Sequence, residues 1–323
     1  MIGKLFSNIR HGDTGSASQV AAGVVASSAA QPPSAYFHEM LTGQLLIDSI
    51  LAQPAHADPK RLERHGWKAY SQHDEDGILQ EIFRRIGAPH RSFVEFGCGF
   101  GLENNTAYLL SQGWRGLWMD GDAGNIAAIR SGFGYLIDHG LLRLTQAFIT
   151  RDNIDALIAA ADLGPEIDLL SIDLDGNDYY IWEAIRAVDA RVVVIEYNAK
   201  FRPPHDWCIT YNPEQLWDGS DRMGSSLTAL ARLGAAKGYR LVGCGIAGGN
   251  AFFVRRDLTG DLFAAPDTPE HLYQPPRYFL SRYFSSGHPG NSFTVVESAS
   301  LGAQLPWPPA TPLASIVLAN PGA

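Results

Sequence analysis

Cysteine, excess positive charge and long apolar runs are all scarce in this sequence of 323 residues. Its three cysteines are too few and too scattered for a disulfide framework or a zinc knuckle, which favours a reducing, cytoplasmic location. Lys and Arg number 25 against 34 Asp and Glu, a formal net charge of −9, so a nucleic-acid partner is not expected. No apolar run reaches the ~18 residues that a membrane span needs.

The composition suits a soluble globular protein with one large core. Apolar residues make up 46% and charged residues 18% of the chain, which is not a disordered composition. Residues 1–33 are rich in Ala, Ser and Gly. The segment Val20–Ala30, behind Lys4 and Arg10, weakly imitates a signal peptide. Its low hydrophobicity favours a flexible arm instead.

Two amphipathic helices are predicted ahead of the first strand. Apolar residues recur at helical spacing from Tyr36 to Ala52. That face packs either on the chain's own core or on a second subunit, so the sequence leaves open a homo-oligomer joined through this helix. The second helix follows Ser71, a candidate N-cap with Asp74 three residues on, and ends at Gly87. Because such a helix can lie over a site at the end of the next strand, Ser71 and Gln72 are candidate ligand-binding residues.

The stretch from Phe93 to Asn105 reads Phe-Val-Glu-Phe-Gly-Cys-Gly-Phe-Gly-Leu-Glu-Asn-Asn, which predicts a strand, a glycine turn and the start of a helix. Glycines suit such a turn because the backbone adopts φ values that other residues resist, and because a ligand approaches the main chain closely. In open α/β sheets this crossing is the usual seat of a nucleotide-containing cofactor.

Around this turn, strands alternate with helices, which predicts a parallel sheet with right-handed crossovers. The predicted strands are Ser92–Phe96, Gly116–Met119, Leu142–Phe148, Ile167–Ile172 and Arg191–Ile195. The predicted helices between them are Asn105–Gln112, Asn125–Ser131, Asp152–Ala161 and Tyr179–Ala187. Two last strands, Tyr239–Cys244 and Ala251–Arg255, are joined so closely that they pair antiparallel. The predicted fold is a Rossmann-like α/β sheet of seven mostly parallel strands closed by an antiparallel hairpin.

Three regions are predicted along the chain. Residues 1–65 form a flexible arm and helical extension, residues 66–257 form the α/β domain, and residues 258–323 form a Pro- and aromatic-rich tail that packs on the core. Within the α/β domain, Phe201–Arg222 is a long loop. Connections of this length inside a compact domain are usually functional.

The residues around the glycine turn indicate which cofactor it holds. Their order, Glu-x-Gly-x-Gly-x-Gly, differs from the Gly-x-Gly-x-x-Gly of nicotinamide enzymes. S-adenosylmethionine has no phosphate but carries an ammonium group that Glu95 can meet, while Gly97, Gly99 and Gly101 let its methionine half lie on the backbone. Asp120, after the second strand, can accept hydrogen bonds from both ribose hydroxyls. Because such an acid also serves NAD, a nicotinamide-dependent oxidoreductase stays as an alternative.

Five blocks of the sequence resemble the FkbM-like class I methyltransferases. These blocks are Ser71–Gly77, Phe93–Asn105, Gly116–Asp120, Leu170–Asp178 and Val194–Asn198. The resemblance implies an S-adenosylmethionine-dependent O-methyltransferase that acts on a hydroxyl of a sugar, a glycan or a glycosylated natural product. We also assign Gln146 and Asp173 to the predicted cofactor site, together with Ser71 and Gln72.

Polar side chains gather after strands four and five. Asp173, Asp175 and Asp178 lie on one turn after strand four, and Glu196 and Asn198 follow strand five. Because the carboxyl ends of neighbouring parallel strands meet at one edge of the sheet, these oxygen ligands can form an octahedral Mg²⁺ site. The predicted metal ligands are Asp175, Glu196 and Asn198.

A proton acceptor is also required, because an alcohol is a poor nucleophile until its proton leaves. The strand-four turn resembles that of metal-dependent macrolide sugar O-methyltransferases, in which a His three residues after a metal-binding acid acts as base. That position is Asp178 here, so the candidate bases are Asp178 and His205, which lies in the loop after strand five. Asp178 can instead cap the helix predicted from Tyr179.

Two alternatives stay open. Trp207, Tyr211 and Trp217 of the long loop either stack on a sugar face or pin the loop to the core. The whole chain is either an enzyme or a cofactor-binding or scaffold protein that has kept the fold and lost catalysis.

Overall fold

A computed structural model describes residues 33–284 of the chain, so the predicted arm before residue 33 and the predicted tail beyond residue 284 lie outside the described residues. Seven strands form one sheet. They are β1 (Ser92–Phe96), β2 (Arg115–Asp120), β3 (Leu142–Gln146), β4 (Glu166–Ile172), β5 (Asp189–Glu196), β6 (Tyr239–Cys244) and β7 (Asn250–Arg255). Predicted and observed strands agree within two residues, because short apolar runs bounded by turn residues mark the buried strands in the sequence.

The strand order is β3-β2-β1-β4-β5-β7-β6. The neighbouring pairs from β3 to β5 are parallel, whereas β7 pairs antiparallel with both β5 and β6. The predicted fold class is therefore confirmed: the sheet is that of a Rossmann-like class I methyltransferase fold. The second strand of the hairpin, β7, pairs with β5, and the first strand, β6, forms the edge of the sheet.

Helices connect the strands and cover the sheet. They are α1 (Pro33–Leu51), α2 (Glu75–Ile86), α3 (Ala107–Ser111), α4 (Ala123–Asp138), α5 (Ile154–Ala159), α6 (Asp178–Ala184), α7 (Leu227–Ala236), α8 (Arg256–Thr259), α9 (Pro269–Leu272) and α10 (Leu280–Phe284). Helix α3 begins two residues later than predicted, because the N–H groups of Asn105 and Thr106 donate to Glu95 of β1 and lie outside the helix. None of the described helices is long and apolar enough to cross a bilayer.

Two apolar clusters fill the space on opposite faces of the sheet. One joins α5, α6 and α7 to the sheet through residues such as Ile158, Trp182 and Leu230. The other joins α2, α3 and α4 through residues such as Ile82 and Phe133. Because both faces are covered, the central strands β1 and β4 are buried along almost their whole length, as parallel strands usually are.

Helix α1 packs in part on its own chain. Its Ile50 is buried with Ile246 and with Leu280 of α10. Leu41 and Leu45 of the same helix are exposed. One side of α1 therefore belongs to this chain's own core, and a homo-oligomer through its other side stays a prediction.

The carboxyl edge of the parallel strands is where the chain reverses direction across the sheet. From β1 the chain moves outward to β2 and β3 and then returns to place β4 on the other side of β1. In open α/β sheets, ligands bind in the crevice outside the strand ends at such a switch point. The turns after β1, β2, β4 and β5 all open onto this edge, and they carry the residues singled out in the sequence.

Candidate active site

The glycine turn after β1 is tightly held on its inner side and open on its outer side. Gly97 has a φ of +77°, and a Cβ there would lie 1.6 Å from the carbonyl oxygen of Asp173 after β4. Gly99 has a φ of +52°, and a Cβ there would meet nothing within 4 Å. Gly101, with a φ of +83°, packs under the Trp118 and Phe133 rings. The turn thus packs closely against the sheet at Gly97 and Gly101. At Gly99 its backbone is open, and a ligand can lie against the main chain there.

Glu95 ties this turn to the rest of the site. The buried carboxylate accepts hydrogen bonds from the backbone N–H groups of Asn105 and Thr106 at 2.9 and 3.2 Å. It also accepts from the hydroxyls of Thr106 and Ser171 and from the Asn104 amide. Burial raises the pKa of Glu95, and these hydrogen bonds oppose that rise. Both carboxylate oxygens therefore already have donors from the protein, and the predicted contact with a cofactor ammonium stays a prediction.

Asp120 lies at the end of β2 beside the open glycine. One carboxylate oxygen accepts from the Gly99 N–H at 2.8 Å. The other accepts from the Asp122 N–H at 2.9 Å and the Asn125 side-chain amide at 3.0 Å. Gln146 pairs with Asp120 in the sheet register and is exposed at the end of β3. Asp120 and Gln146, both predicted to contact the cofactor, therefore lie together at one end of this edge.

The segment before α2 differs from its prediction. The helix begins at Glu75, not after a cap at Ser71, because the Asp76 carboxylate accepts from the N–H groups of Ala69, Tyr70 and Ser71 and folds them into a tight turn. The Ser71 hydroxyl accepts from the Asp76 N–H at 3.2 Å, and Ser71 is fully buried. The N-cap prediction was wrong, since the serine and the aspartate bond to each other across the turn.

Asp74, next in this segment, is a buried carboxyl beneath the β6–β7 hairpin. It accepts from the Ile246 N–H at 2.9 Å. Burial, together with the charge of neighbouring Glu75, raises the pKa of Asp74 to about 8. The unfolded value is about 3.9, so the folded chain binds more protons between roughly pH 4 and 8, and stability falls as pH rises through that window.

Asp74→Asn is expected to remove this dependence, because an amide keeps the acceptor for Ile246 and has no proton to lose. The melting temperature of the variant should match that of the wild type at or below about pH 4, where Asp74 is protonated in both the folded and the unfolded state, and should exceed it by several degrees at pH 9. Calorimetric scans from about pH 4 to 9 measure the difference. Identical profiles for the two proteins would mean that Asp74 titrates normally.

Three carboxylates come together where β4 and β5 end. Oxygens of Asp173, Asp175 and Glu196 all lie within 4.8 Å of one another, and the three residues are half-buried. Asp175 adopts a φ of +54°, which a non-glycine residue rarely takes. The structure therefore brings together two of the predicted metal ligands, Asp175 and Glu196, and adds Asp173, which the sequence assigned to the cofactor.

Asn198, the third predicted metal ligand, bonds to the long loop. Its amide donates to the carbonyls of Asp221 and Met223 at 2.8 and 3.0 Å, and its oxygen accepts from the Lys200 N–H at 3.1 Å. It nevertheless lines a small pocket beside Glu196. The Tyr278 ring, from the segment after the α/β domain, lines the same pocket and had no signal in the sequence.

Asp178 closes the acidic turn from below. Its carboxylate accepts from the Leu174 N–H at 2.7 Å and the Gly176 N–H at 3.0 Å. Burial and the charge of Glu196 raise the pKa of Asp178 to about 7. Asp178 is the first residue of α6, and its side chain bonds to the preceding turn. Asp178 therefore does not cap the helix as predicted, but stabilises the turn that carries Asp173 and Asp175.

The long loop after β5 is pinned at its base. Cys208 and Ser225 form an antiparallel bridge. Trp207 stacks on Phe201, with ring centroids 4.2 Å apart. His205, the other candidate base, is exposed in this loop.

The outer part of the loop lies over the acidic turn. The Tyr211 ring packs against Tyr180 and under the Arg151 guanidinium, 4.3 Å from its centroid. The Asn177 side chain donates to the Asn212 carbonyl at 2.7 Å. Of the three loop aromatics, Tyr211 therefore anchors the loop to the rest of the chain, whereas the Trp207 ring stacks within the loop.

No protein-family model matches the sequence, and no curated protein matches it significantly. Among solved structures, the chain is similar to an O-methyltransferase from Bacillus cereus in complex with S-adenosylhomocysteine, at 13% identity over 72% of this chain and 95% of that one, with a TM-score of 0.36. It is also similar to the S-adenosylhomocysteine-bound Podospora anserina methyltransferase PaMTH1, at 13% identity over 76% of this chain and 99% of that one, with a TM-score of 0.38. The methyltransferase domain of a bacterial Hen1 matches at 14% identity over 57% of this chain and 97% of that one, with a TM-score of 0.37. Likenesses this low decide nothing about the site, and the fold class rests on the strand order.

Proposed function

We propose that this chain is an FkbM-like S-adenosylmethionine-dependent O-methyltransferase that methylates a hydroxyl of a sugar, a glycan or a glycosylated natural product. The observation that carries the proposal is the meeting of two features at one switch point. A glycine turn open at Gly99 lies beside Asp120, and its Gly97 touches the backbone of Asp173 in the acidic cluster. A methyl donor bound on the glycine turn would therefore lie next to a methyl acceptor bound at the three carboxylates.

The glycine turn and Asp120 fit the cofactor. The space in front of Gly99 is open, and a side chain at this position would take up the room that a ligand needs. The Asp120 carboxylate beside it can accept hydrogen bonds from ribose hydroxyls. When bound, the cofactor would supply a methyl group on a sulfonium centre: the acceptor oxygen would bond to the methyl carbon, and the sulfur would leave as the thioether of S-adenosylhomocysteine. The other proposed cofactor contacts are Ser71, Gln72, Gln146 and Asp173. Because Ser71 is fully buried, it would act indirectly, by holding the backbone of its segment in place.

The acidic cluster fits a divalent cation. Carboxylate oxygens are the hard ligands that Mg²⁺ prefers, and a cation between these three half-buried carboxylates would reduce their mutual repulsion. We propose Asp173, Asp175 and Glu196 as its ligands, with Asn198 at the border of the site. A bound cation would lower the pKa of the acceptor hydroxyl.

The two candidate bases have different surroundings. Asp178 is buried, and both of its oxygens accept backbone N–H groups, so an acceptor hydroxyl cannot reach it. His205 is exposed in the loop that adjoins the acidic turn. We therefore propose His205 as the proton acceptor and Asp178 as the residue that holds the turn of Asp173 and Asp175 in place.

Asp120→Ala is expected to weaken binding of S-adenosylhomocysteine by about 10- to 100-fold, because two charge-assisted hydrogen bonds to ribose would be lost. Isothermal titration calorimetry on the full chain measures this. Asp138→Ala, at the far end of α4 and exposed, is the matched control and should bind like the wild type. A wild-type protein that binds no S-adenosylhomocysteine, or that NAD stabilises instead, would overturn the cofactor assignment.

A further inference from the structure

The long loop after β5 is anchored on the turn that follows β4. The Asn177 side chain donates to the Asn212 carbonyl of the loop at 2.7 Å. The Gln215 side chain lies directly against Gly176, because a Cβ on that glycine would be only 2.9 Å from Cγ of Gln215. This part of the loop therefore lies over the turn that carries two of the three carboxylates of the acidic cluster.

The loop is anchored a second time at the end of β5. The Asn198 side chain donates to the carbonyls of Asp221 and Met223 at 2.8 and 3.0 Å. Residues 216–220 therefore run from the turn after β4 to the end of β5, which are the two places that hold the acidic cluster. An acceptor bound at this cluster would lie beside the segment 216–220.

Within this segment, the Trp217 side chain faces the protein. Gln215 and Trp217 are half-buried, whereas the residue between them and the residue that follows are exposed. An alternation of this kind places Trp217 on the same side of the segment as Gln215, whose side chain touches the turn after β4. The indole N–H donates to the Ser220 carbonyl at 3.0 Å, which holds the ring in place.

Trp217 differs from the other two aromatic residues of the loop. The Trp207 ring stacks on Phe201, and the Tyr211 ring packs against another tyrosine at the start of α6. Among the side chains that the structure describes, no aromatic ring stacks on the Trp217 indole. Trp217 is therefore the loop aromatic whose ring face a ligand can use.

We infer that the acceptor presents a sugar ring to this segment, with the Trp217 indole stacked on the apolar face of the sugar and Gln215 bonded to one of its hydroxyls. The inference rests on the proposed function and names the residues that recognise the acceptor. An indole offers a large rigid apolar surface, which matches the C–H face of a sugar. The Gln215 NH₂ group already donates to the Leu216 carbonyl at 2.8 Å, so we assign its amide oxygen to the sugar hydroxyl.

The test measures methyl transfer to sugars. The full chain is incubated with Mg²⁺ and with S-adenosylmethionine labelled in its methyl group, on an array of immobilised mono- and oligosaccharides. Catechol in solution is the acceptor without a sugar. The wild type is expected to label sugars. For the best-labelled sugar in solution, Trp217→Ala should raise KM by about 10-fold and Gln215→Ala by about 2- to 10-fold, with little change in kcat.

Two further variants complete the set. Trp217→Phe keeps an aromatic face and should recover most of the affinity for the sugar. Leu216→Ala is the matched control, because this side chain lies in the same segment and is 73% exposed, and it should label sugars like the wild type. All four variants should bind S-adenosylhomocysteine as tightly as the wild type does.

The possible failures are distinguishable. If the wild type labels sugars and Trp217→Ala has an unchanged KM, the inference alone is overturned. It is also overturned if Trp217→Ala loses S-adenosylhomocysteine binding and melts at a lower temperature, because the ring then only supports the fold. A wild type that binds S-adenosylhomocysteine but labels no sugar, with or without methylation of catechol, overturns the sugar acceptor and leaves the cofactor assignment. A wild type that binds no S-adenosylhomocysteine overturns the proposed function itself.

Discussion

Glu95→Ala is expected to lower the melting temperature by roughly 10 °C. The substitution would leave the N–H groups of Asn105 and Thr106 without their acceptor in a buried place. It would also break the link from the glycine turn to Ser171 of β4. Leaving a buried donor without its acceptor costs about 1–3 kcal/mol, so the two N–H groups together cost roughly 2–6 kcal/mol. Each kcal/mol shifts the melting temperature of a domain this large by roughly 2–4 °C. Differential scanning calorimetry of the chain without ligand measures the effect.

Two further variants separate anchoring of the turn from direct ligand binding. Gln146→Ala, exposed on the same edge, is the control and should melt within about 1 °C of the wild type. Glu95→Gln keeps one good acceptor but turns an NH₂ group toward donors, so its melting temperature should lie between the other two. If Glu95→Gln instead melted like the wild type and only bound S-adenosylhomocysteine more weakly, the carboxylate would be a ligand of the cofactor and not an anchor of the turn.

The fold could be predicted because its signals are local. The strand Ser92–Phe96 ends where three glycines begin, and Asp120 and Glu196 mark the ends of two other strands. In a parallel sheet such strand ends share an edge whatever the details of packing. For this reason the sequence predicts that Asp175 and Glu196 lie close together, as they do in the structure.

Side-chain partners could not be predicted, because they depend on contacts between distant parts of the chain. Glu95 reads as a free acid before a glycine turn, yet it accepts from Ser171, 76 positions away. Ser71 fits an N-cap pattern, but the carboxylate of Asp76 competes for the same backbone. Tyr278 lies outside every motif, and only the packing of its segment on the edge brings it beside Glu196.

Glu196→Gln is expected to abolish the response to Mg²⁺ and to stabilise the protein without metal. Three carboxylates within 4.8 Å repel one another, so removing one charge should raise the melting temperature of the metal-free chain by a few degrees. In the wild type, Mg²⁺ at 100 times its Kd adds about 2.7 kcal/mol to stability, which a thermal scan detects easily. The variant should gain nothing, and its methyl-transfer rate should fall at least about 100-fold.

A higher melting temperature together with a lower methyl-transfer rate would identify the carboxylates as a binding site, because functional residues often destabilise the folded state. Glu183→Gln, the same exchange on the exposed side of α6, is the control and should keep both the Mg²⁺ response and the rate. The pKa of Asp178, raised to about 7 by burial and by the charge of Glu196, should fall in Glu196→Gln, and carboxyl NMR titration follows it. If wild-type stability ignored Mg²⁺ while methyl transfer proceeded, the carboxylates would serve the acceptor directly, and proton removal would rest on His205 without a metal.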